Sequence, residues 1–322
     1  KYKPLKIKVD EVMSWSDEAA IPSLPSDNSF DIFKKIRKSP RLDLNEIGHW
    51  RARADRELDS TLQRELIDLK SEEKPEKFWP VYGGSSYDIW NPDTGKYYAF
   101  ANPEKVLPWL QKKRENAKRA KRDSVHREFS LKDINDESTL APLHPRIAFR
   151  KITRATDSRT MRVALTPPYV FHVGSSNPVL WPRGSKKDEA YLLGILSSIP
   201  LDWYSRRFVE INFNLTFFTP LPIPRLEDSV ALKQRIIKIS GRLASPDERF
   251  KIWATQVGVN YGKIGNEEKG EMIAELDSLV SIAYNLEKAE IIHIFESFHK
   301  NWDFYERLNK VLKYYDYWKS KQ

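Results

Sequence analysis

The chain has 322 residues, of which 40% are hydrophobic and 12% aromatic, so it is long enough for two or more domains with sizeable cores. Lysine and arginine number 54 against 45 aspartates and glutamates, and the resulting formal charge of +9 favours a polyanionic partner such as nucleic acid. The absence of cysteine excludes disulfides, zinc–thiolate sites and cysteine nucleophiles, and it is compatible with a reducing cytoplasm.

Membrane and metal partners have no support in the sequence. No apolar run approaches the roughly 20 residues that cross a bilayer, and no signal peptide opens the chain, so we expect a cytoplasmic protein without a membrane partner. The six histidines form neither an HExxH nor an HxH pattern, which argues against a bound metal. Because the chain begins at Lys1 and not at methionine, we expect an upstream portion.

Residues 1–74 are predicted to form an N-terminal strand and helical segment that leads into a missing upstream domain. Apolar residues alternate over residues 5–9 as in a strand. A short basic helix is predicted over residues 29–41, and leucines at helical spacing predict another over residues 59–69.

A basic helix is predicted over residues 103–122, after an aromatic segment with hairpin turns at Gly83-Gly84 and at residues 93–95. Its second half, KKRENAKRAKR, is suited to lie along phosphates, although a solvated helix or a mobile linker explains it equally well. The candidate contacts in this helix are Lys112, Lys113, Arg114, Lys118 and Arg119.

An arginine-rich segment follows over residues 140–162, on a strand-like frame with Ile147, Phe149 and Ile152 expected on the buried side. A guanidinium can pair bidentately with phosphate or with guanine, which an ammonium cannot match. The alternative is a row of arginines on the exposed face of a half-buried sheet. The candidate DNA contacts here are Arg146, Arg150, Lys151, Arg154, Arg159 and Arg162.

The stretch over residues 191–225 combines an apolar helix, which Pro200 would kink or stagger, with a polar loop and a short proline-punctuated strand. Candidate contacts in it are Arg206, Arg207, Asn212 and Asn214. Periodic apolar residues then predict helices over residues 226–244, continuing to 253, and over residues 271–284 and 290–298. The aromatic last 20 residues predict a capping helix whose rings pack in the core.

Catalytic motifs are missing from the sequence. The glycine-rich cofactor turn of an amino-methyltransferase is absent, and its D/N-P-P-Y/F loop is approached only by TPPY at residues 166–169, which we interpret as a turn into a strand. No carboxylate cluster with E-x-K, no GxSxG elbow and no GxxxxGK loop is present. The chain is therefore predicted to be a binding module without catalytic residues.

Two motifs in the central stretch, LLGILSSIPLDWYSRR and NFNLTFFTPLPIPR, carry a resemblance to a known family. They resemble the C-terminal target-recognition region of large adenine-N6 DNA methyltransferases of the restriction-modification type, such as type IIG enzymes and the related methylases of phage-exclusion or DISARM-like defence systems. PRIAFRKITRATDSRT is similar to the opening of that region, and AELDSLVSIAYNL with IIHIFESF to its closing helices. The resemblance covers about residues 78–298.

The resemblance implies double-stranded DNA as a partner. It also implies a catalytic half upstream that binds S-adenosylmethionine and carries NPPY, so this chain is expected to hold no cofactor and to work with a methyltransferase domain or subunit. The parent protein could also cleave DNA. Base-contacting positions vary within such regions, so no residue is assigned to a base.

The expected fold is α+β: a mixed-sheet DNA target-recognition domain over residues 75–225, followed by a helical domain over residues 226–322. Arginines would contact phosphates and set the register, while amides and one or two arginines would read base edges in the major groove. Two alternatives stay open. The chain could be a nuclease or methyltransferase with unrecognised motifs, or a protein-interaction subunit of a defence complex.

Overall fold

The computed structural model describes residues 7–15, 20–46, 49–71, 73–121, 123–209, 212–227, 230–298 and 303–322. Helices account for 46% and strands for 11% of the chain, in two small sheets and many helices, so the predicted α+β class is confirmed. Within the described ranges, no helix is long and apolar enough to cross a membrane.

The strands form two sheets. The strand bounds are β1 (Arg53–Ala54), β2 (Trp79–Tyr82), β3 (Ala99–Ala101), β4 (Arg146–Arg150), β5 (Val163–Thr166), β6 (Phe171–His172) and β7 (Ser176–Leu180). The first sheet is antiparallel throughout and has the order β1-β7-β4-β5. The second has the order β3-β2-β6 and is mixed, because β2 pairs antiparallel with β3 and parallel with β6.

Strand β4 shows why the first sheet forms where it does. Its residues alternate, so that Ile147 and Phe149 enter the main hydrophobic core while Ala148 packs on the opposite face against Tyr82 of the second sheet. The Phe149 ring stacks on Phe218 with centroids 4.0 Å apart. The two faces of β4 are therefore both covered for most of its length.

The helix bounds are α1 (Val9–Trp15), α2 (Asp27–Arg37), α3 (Pro103–Arg119), α4 (Leu131–Asn135), α5 (Lys186–Leu196), α6 (Ile199–Arg206), α7 (Leu215–Phe218), α8 (Ala231–Leu243), α9 (Lys251–Val257), α10 (Asn266–Ala283), α11 (Lys288–Glu296) and α12 (Tyr305–Lys319). Helix α5 packs on α8, and α10 packs on both α8 and α12.

The central stretch is two helices and not one kinked helix. Helix α5 ends at Leu196, and Ser198 caps α6, whose first turn accommodates Pro200 because a first-turn residue needs no backbone N–H donor. The proline-punctuated strand predicted after it is wrong. Among the described residues, this segment makes an isolated bridge between Pro222 and Arg41 and no strand.

Two predictions near the N-terminus are also wrong. Residues from Val9 onward form helix α1 and not a strand, while residues 1–6 lie outside the described residues. In place of a helix over residues 59–69 there is only a 3-10 turn at Arg64–Leu66. The Asp59 carboxylate accepts hydrogen bonds from the backbone N–H groups of Thr61 and Leu62, which satisfies them locally and stabilises a turn instead of a helix.

The other helix predictions agree with the structure more closely. Helix α3 is capped by Asn102 and ends at Arg119, and Arg122 lies outside the described residues. Helix α8 stops before Pro246, and a separate helix, α9, follows a 3-10 turn. In the capping helix α12, Tyr315 is buried as expected, but Tyr305 and Tyr317 are exposed.

One hydrophobic cluster joins the sheet to the helices. It contains Ile147 and Phe149 of β4 together with residues of α8, α10 and α12, so the core continues across residue 225. The predicted domain boundaries stay predictions.

Candidate nucleic-acid interface

Two of the predicted polar segments meet at the end of strand β4. Beyond Arg150, Ile152 forms an antiparallel bridge with Asn212, and the backbone N–H of Phe213 donates to the carbonyl oxygen of Lys151 at 2.8 Å. The Phe213 ring is 1% exposed and packs edge-on against Phe149, which fixes this pairing. The arginine-rich segment and the NFN loop therefore lie side by side.

We define the basic edge as Arg150, Lys151, Arg154, Asn212 and Asn214. Arg154 is exposed and the others are partly exposed. Among the residues that the structure describes, none of these five side chains takes part in a hydrogen bond or an ion pair. Their donors and acceptors are thus available to a ligand.

The turn at Gly83-Gly84 supports the side chain of Arg150. A Cβ atom on Gly84 would lie 3.1 Å from Arg150 Cγ, so the aliphatic part of Arg150 occupies the space that a larger residue would fill. Gly84 N–H donates to Ser175 Oγ at 3.2 Å, and Lys151 N–H donates to the Ser175 carbonyl oxygen at 3.0 Å. These contacts fix the base of the Arg150 side chain.

A tight turn carries Arg154. The Asp157 carboxylate accepts from the Arg154 backbone N–H at 3.2 Å and from Thr153 Oγ1 at 3.3 Å, and Asp157 N–H donates back to the Arg154 carbonyl oxygen at 3.1 Å. Because Asp157 uses its carboxylate on the turn, it does not pair with the Arg154 guanidinium.

Arg206 holds this turn from the inside, and its predicted role as a DNA contact stays a prediction. The side chain is 7% exposed, donates to the Asp157 carbonyl oxygen at 2.8 Å and to Thr160 Oγ1 at 3.1 Å, and lies 4.1 Å from the centre of the Phe298 ring. Its donors are therefore used within the fold.

Arg159 has a similar structural role. It donates to the buried carboxylate of Asp202 at 3.0 Å and to the carbonyl oxygen of Ser197 at 2.7 Å. Asp202 also accepts from the Met161 backbone N–H at 2.5 Å, so one carboxylate on α6 ties down the whole segment before β5.

Arg146 and Arg162 are also engaged in ion pairs. Arg146 is 3% exposed and pairs with the buried carboxylate of Glu57, with Nη2 at 2.7 Å and 3.0 Å from the two oxygens. Arg162 pairs with Asp88 at the surface of the sheet. The Arg146 side chain is enclosed by these partners, and its assignment to a duplex stays a prediction.

Arg207 is intermediate between the arginines that are engaged in the fold and the residues of the basic edge. Its guanidinium stacks 4.7 Å from the Trp203 ring and its Nε donates to the Trp203 carbonyl oxygen at 3.2 Å. Burial, followed by the charge of Arg206, lowers the pKa of Arg207 to about 10. It also lines a groove of about 540 Å³ beside Ser23 and Thr156.

The basic side chains of helix α3 also fall into two groups, those engaged in the fold and those exposed to solvent. Arg114 is buried and donates to Gln111, Thr139 and the carbonyl oxygen of Asp136, while Lys118 donates to the carbonyl oxygens of Arg127 and Phe129. These side chains hold the segment after α3.

Lys113 of the same helix binds the Asp55 carboxylate at 3.3 Å and backbone oxygens of the segment after β1. Lys112 and Arg119 are exposed, and in the described chain they make no side-chain hydrogen bond or ion pair. Of the predicted contacts in α3, these two are the most accessible to a phosphate, and the phosphate contacts of this helix stay a prediction.

The sequence interpretation missed Ile152 as a surface residue. Its side chain is 52% exposed, although it was expected to be buried, and it lies between Lys151 and Arg154 on the basic edge. The alternation of a strand could have revealed this, because Ile152 is two residues after Arg150 and so falls on the opposite face from Ile147 and Phe149.

The TPPY segment is a turn into a strand, as predicted. Thr166 ends β5, is fully buried, and donates from its hydroxyl to the Arg146 carbonyl oxygen at 3.0 Å, so it cannot hold a base. Tyr169 is 55% exposed with a φ of 63° just before β6. The described residues contain no cluster of three or more histidine and carboxylate side chains that could hold a metal ion.

Comparison with solved structures gave resemblances that include two restriction-modification enzymes. The type IIG restriction endonuclease BpuSI matches over 81% of this chain and 34% of its own, with 16% identity and a TM-score of 0.39. The type IIL restriction-modification enzyme MmeI, solved in complex with DNA, matches over 86% of this chain and 38% of its own, with 12% identity and a TM-score of 0.33. This chain thus spans little more than a third of either enzyme. No protein-family model and no curated protein matches it.

Proposed function

We propose that the chain binds double-stranded DNA through the basic edge, as the target-recognition part of a DNA adenine methyltransferase of the restriction-modification type. The observation that carries the proposal is the Ile152–Asn212 bridge, which places three cations beside two amides. None of these five side chains has a hydrogen-bond or ion-pair partner among the described residues. Cations of this kind neutralise phosphates, and amides are the side chains that pair bidentately with adenine.

The arrangement supports separate tasks for the residues of the basic edge. Arg154 extends from a turn, and Lys151 extends from the end of a strand. We assign both to phosphate contacts, which position the protein on DNA without reading its sequence. Arg150 is held at its base by the Gly83-Gly84 turn, so less side-chain freedom is lost when it meets a base or a phosphate. Asn212, Asn214 and the methyl groups of Ile152 are assigned to base edges in the major groove.

Methylation itself is assigned to another domain or subunit. The described residues hold no NPPY loop, and the resembling TPPY threonine is buried in a hydrogen bond to Arg146. S-adenosylmethionine would therefore be bound by a methyltransferase partner, with this chain selecting the DNA site.

Salt-dependent binding of labelled duplex DNA tests the proposal. Fluorescence anisotropy would be measured at several salt concentrations for the wild type and for Arg150→Ala, Lys151→Ala and Arg154→Ala. Each variant that removes a phosphate contact should reduce the slope of log K against log salt by about 0.9. Lys251→Ala, at an exposed position on α9, is the matched control and should leave the slope unchanged.

The amides need a different measurement. Duplexes selected from a random pool by the wild type would be compared with the pool before selection. Asn212→Ala and Asn214→Ala should lower discrimination among the selected sequences and leave the salt slope intact. Unchanged slopes in all cation variants, or no salt-dependent affinity in the wild type, would contradict the proposal and favour a protein-interaction subunit.

A further inference from the structure

A groove of about 540 Å³ lies between the turn that carries Arg154 and the C-terminal end of α6, and we call it the α6 groove. Ala155 and Thr156, the two residues that follow Arg154, line it together with Arg206 and Arg207 at the end of α6. Consecutive Cα atoms are about 3.8 Å apart, so the wall of the groove starts directly beside the base of Arg154. The α6 groove is therefore a neighbour of the basic edge.

The charges around the α6 groove favour an anion. Two arginines line it, and none of the described residues in its wall is acidic. The charges of Asp202 and Asp157 act on Arg206, but both carboxylates are used within the fold. Asp202 is fully buried and accepts from Arg159 and from the Met161 N–H, while Asp157 holds the backbone of the turn. The groove therefore offers positive charge without a carboxylate in its wall that would repel an anion.

Arg207 is held in a way that leaves its outer nitrogens for a ligand. Its guanidinium stacks 4.7 Å from the Trp203 ring, and Nε donates to the Trp203 carbonyl oxygen at 3.2 Å. Nη1 lies 3.5 Å from the carbonyl oxygen of Ser23, and Nη2 has no hydrogen-bond partner in the described chain. The side chain is partly exposed. Because the stack and the Nε bond fix the plane of the guanidinium, little side-chain freedom is lost when the outer nitrogens bind two oxygens.

The charge of Arg207 would be stabilised by a bound anion. Burial, followed by the charge of Arg206, lowers the pKa of Arg207, and Asp202 opposes this shift only in part. Phe208 and Val209 also line the groove and keep water from part of its wall. An anion there would offset the repulsion between the two arginines, and its hydrogen bonds would be charge-assisted and weakly screened by salt.

Two hydroxyl groups complete the polar wall. Ser23 and Thr156 line the groove and are exposed, and within the described chain neither hydroxyl makes a hydrogen bond. The Ser23 backbone N–H donates to the Arg207 carbonyl oxygen at 2.8 Å, which fixes Ser23 beside the guanidinium. A hydroxyl can donate to an anion oxygen that the guanidinium leaves unpaired.

We propose that the α6 groove binds a phosphate group of the DNA backbone, close to the phosphate that Arg154 contacts. The inference rests on the proposed function and adds a second phosphate site to it. A phosphate presents several acceptor oxygens, which suit a guanidinium and two hydroxyls, whereas a cationic or apolar ligand would leave the arginines unpaired. Because the groove is continuous with the Arg154 turn, and one DNA strand carries a phosphate at each rise of about 3.4 Å, a single strand can supply both phosphates.

Fluorescence anisotropy with labelled duplex DNA tests the charge of Arg207. Arg207→Met removes the charge and keeps a long side chain over Trp203, and it should reduce the slope of log K against log salt by about 0.9. Lys251→Met, at an exposed position on α9, makes a similar change in charge and should leave the slope unchanged. Thermal unfolding of each variant shows that the protein is folded.

A second variant does not depend on replacing a partly buried arginine. Thr156→Glu places a negative charge at an exposed position of the groove wall and should weaken DNA binding at least about threefold at low salt, with an unchanged melting temperature. Thr255→Glu, also at an exposed position, is the matched control and should bind like the wild type.

Neutral methylphosphonate linkages locate the phosphate. Each linkage of a duplex selected by the wild type would be replaced in turn. At one position, replacement should weaken binding to the wild type at least about threefold and have little effect on binding to Arg207→Met, since the pair of changes removes a single interaction. A position that couples in the same way to Arg154→Ala should lie close to it on the same strand.

Equilibrium dialysis with labelled inorganic phosphate tests whether a free phosphate is the ligand instead. Phosphate binding that is lost in Arg207→Met, with an unchanged salt slope for DNA, would identify free phosphate and overturn the assignment to DNA.

The proposal is also overturned if folded Arg207→Met and Thr156→Glu both bind the duplex like the wild type. A reduced slope in Arg154→Ala would then still support DNA binding at the basic edge, so the two failures are distinguishable. If the wild type has no salt-dependent affinity for duplex DNA, the groove proposal and the proposed function both fail.

Discussion

Arg146 Nη2 lies 2.7 Å and 3.0 Å from the two carboxylate oxygens of Glu57, and both residues are at most 4% exposed. Burial raises the pKa of Glu57, whereas the Arg146 charge and the His172 backbone N–H act in the opposite direction. The pair joins the segment after β1 to the first residue of β4. It therefore belongs to the framework of the sheet that carries the basic edge.

Glu57→Gln should lower the free energy of unfolding by about 3–5 kcal/mol, because it leaves a buried guanidinium without its counter-charge. Urea unfolding followed by circular dichroism measures this. Glu65→Gln, at an exposed position, is the control and should change stability by less than about 0.5 kcal/mol. A double variant, Glu57→Leu with Arg146→Met, should lose less than the single one, and a single-variant loss below about 1 kcal/mol would contradict a structural pair.

His172 should make stability depend on pH. The ring is fully buried between Ser176 Oγ, 2.7 Å from Nδ1, and Thr166 Oγ1, 3.1 Å from Nε2. Burial, and then the Arg146 charge, lowers its pKa well below the usual value. The unfolded chain therefore binds the proton more readily, and the stability present above about pH 6.5 is lost as the pH falls below it, by up to about 1.4 kcal/mol per pH unit.

Urea unfolding at pH 7.0 and 5.5 checks the sign and size of this effect. His172→Gln is expected to be less stable at both values but to lose less on acidification than the wild type. His144→Gln, at an exposed imidazole, controls for the substitution itself. Equal losses in the wild type and in His172→Gln would show that His172 does not control this pH dependence.

Alanine substitution of Arg206 should lower stability, whereas alanine substitution of Arg154 should weaken DNA binding. Arg206→Ala leaves the Asp157 carbonyl oxygen and Thr160 Oγ1 without their donor, and each such buried group costs about 1–3 kcal/mol. Arg154→Ala removes an exposed side chain and should change stability by less than about 0.5 kcal/mol while reducing the salt slope of DNA binding. A fully stable Arg206→Ala with a reduced slope would instead identify Arg206 as a DNA contact.

Local signals in the sequence predicted much of the fold. Helix α3 begins after its N-cap residue, Asn102, and follows the expected range. The alternation through Ile147 and Phe149 predicted β4. The boundary between α5 and α6 was also readable, since Ser198 and Pro200 are typical of a helix start. Leu62 has helical spacing, but the Asp59 carboxylate provides a competing turn.

The distribution of arginines between fold and surface could not be predicted in this way. Arg146 is neutralised by Glu57, 89 positions earlier, and Arg159 by Asp202, 43 positions later. An arginine in a polar run has the same sequence signature whether its partner is a buried carboxylate or solvent. The candidate contacts chosen from the sequence therefore include several arginines that the structure engages in the fold, such as Arg146 and Arg159.

Gly194 should be irreplaceable in the contact between α5 and α8. A Cβ atom there would lie 2.2 Å from Ser240 Oγ and 3.0 Å from Ile236 Cγ2, closer than packed side chains allow. Gly194→Ala should therefore destabilise the protein by about 1–3 kcal/mol, although glycine-to-alanine changes inside helices ordinarily stabilise by about 0.5–1 kcal/mol. Adding Ser240→Ala removes the nearest atom and should restore part of the loss.

Gly270 on α10 is the matched control for Gly194, because a Cβ atom there would meet nothing within 4 Å. Gly270→Ala should raise the free energy of unfolding by about 0.5–1 kcal/mol. Urea unfolding of both single variants and of the Gly194→Ala, Ser240→Ala double variant measures these changes. Equal effects at Gly194 and Gly270 would contradict the close packing of α5 on α8, and no recovery in the double variant would place the clash on Ile236 and not on Ser240.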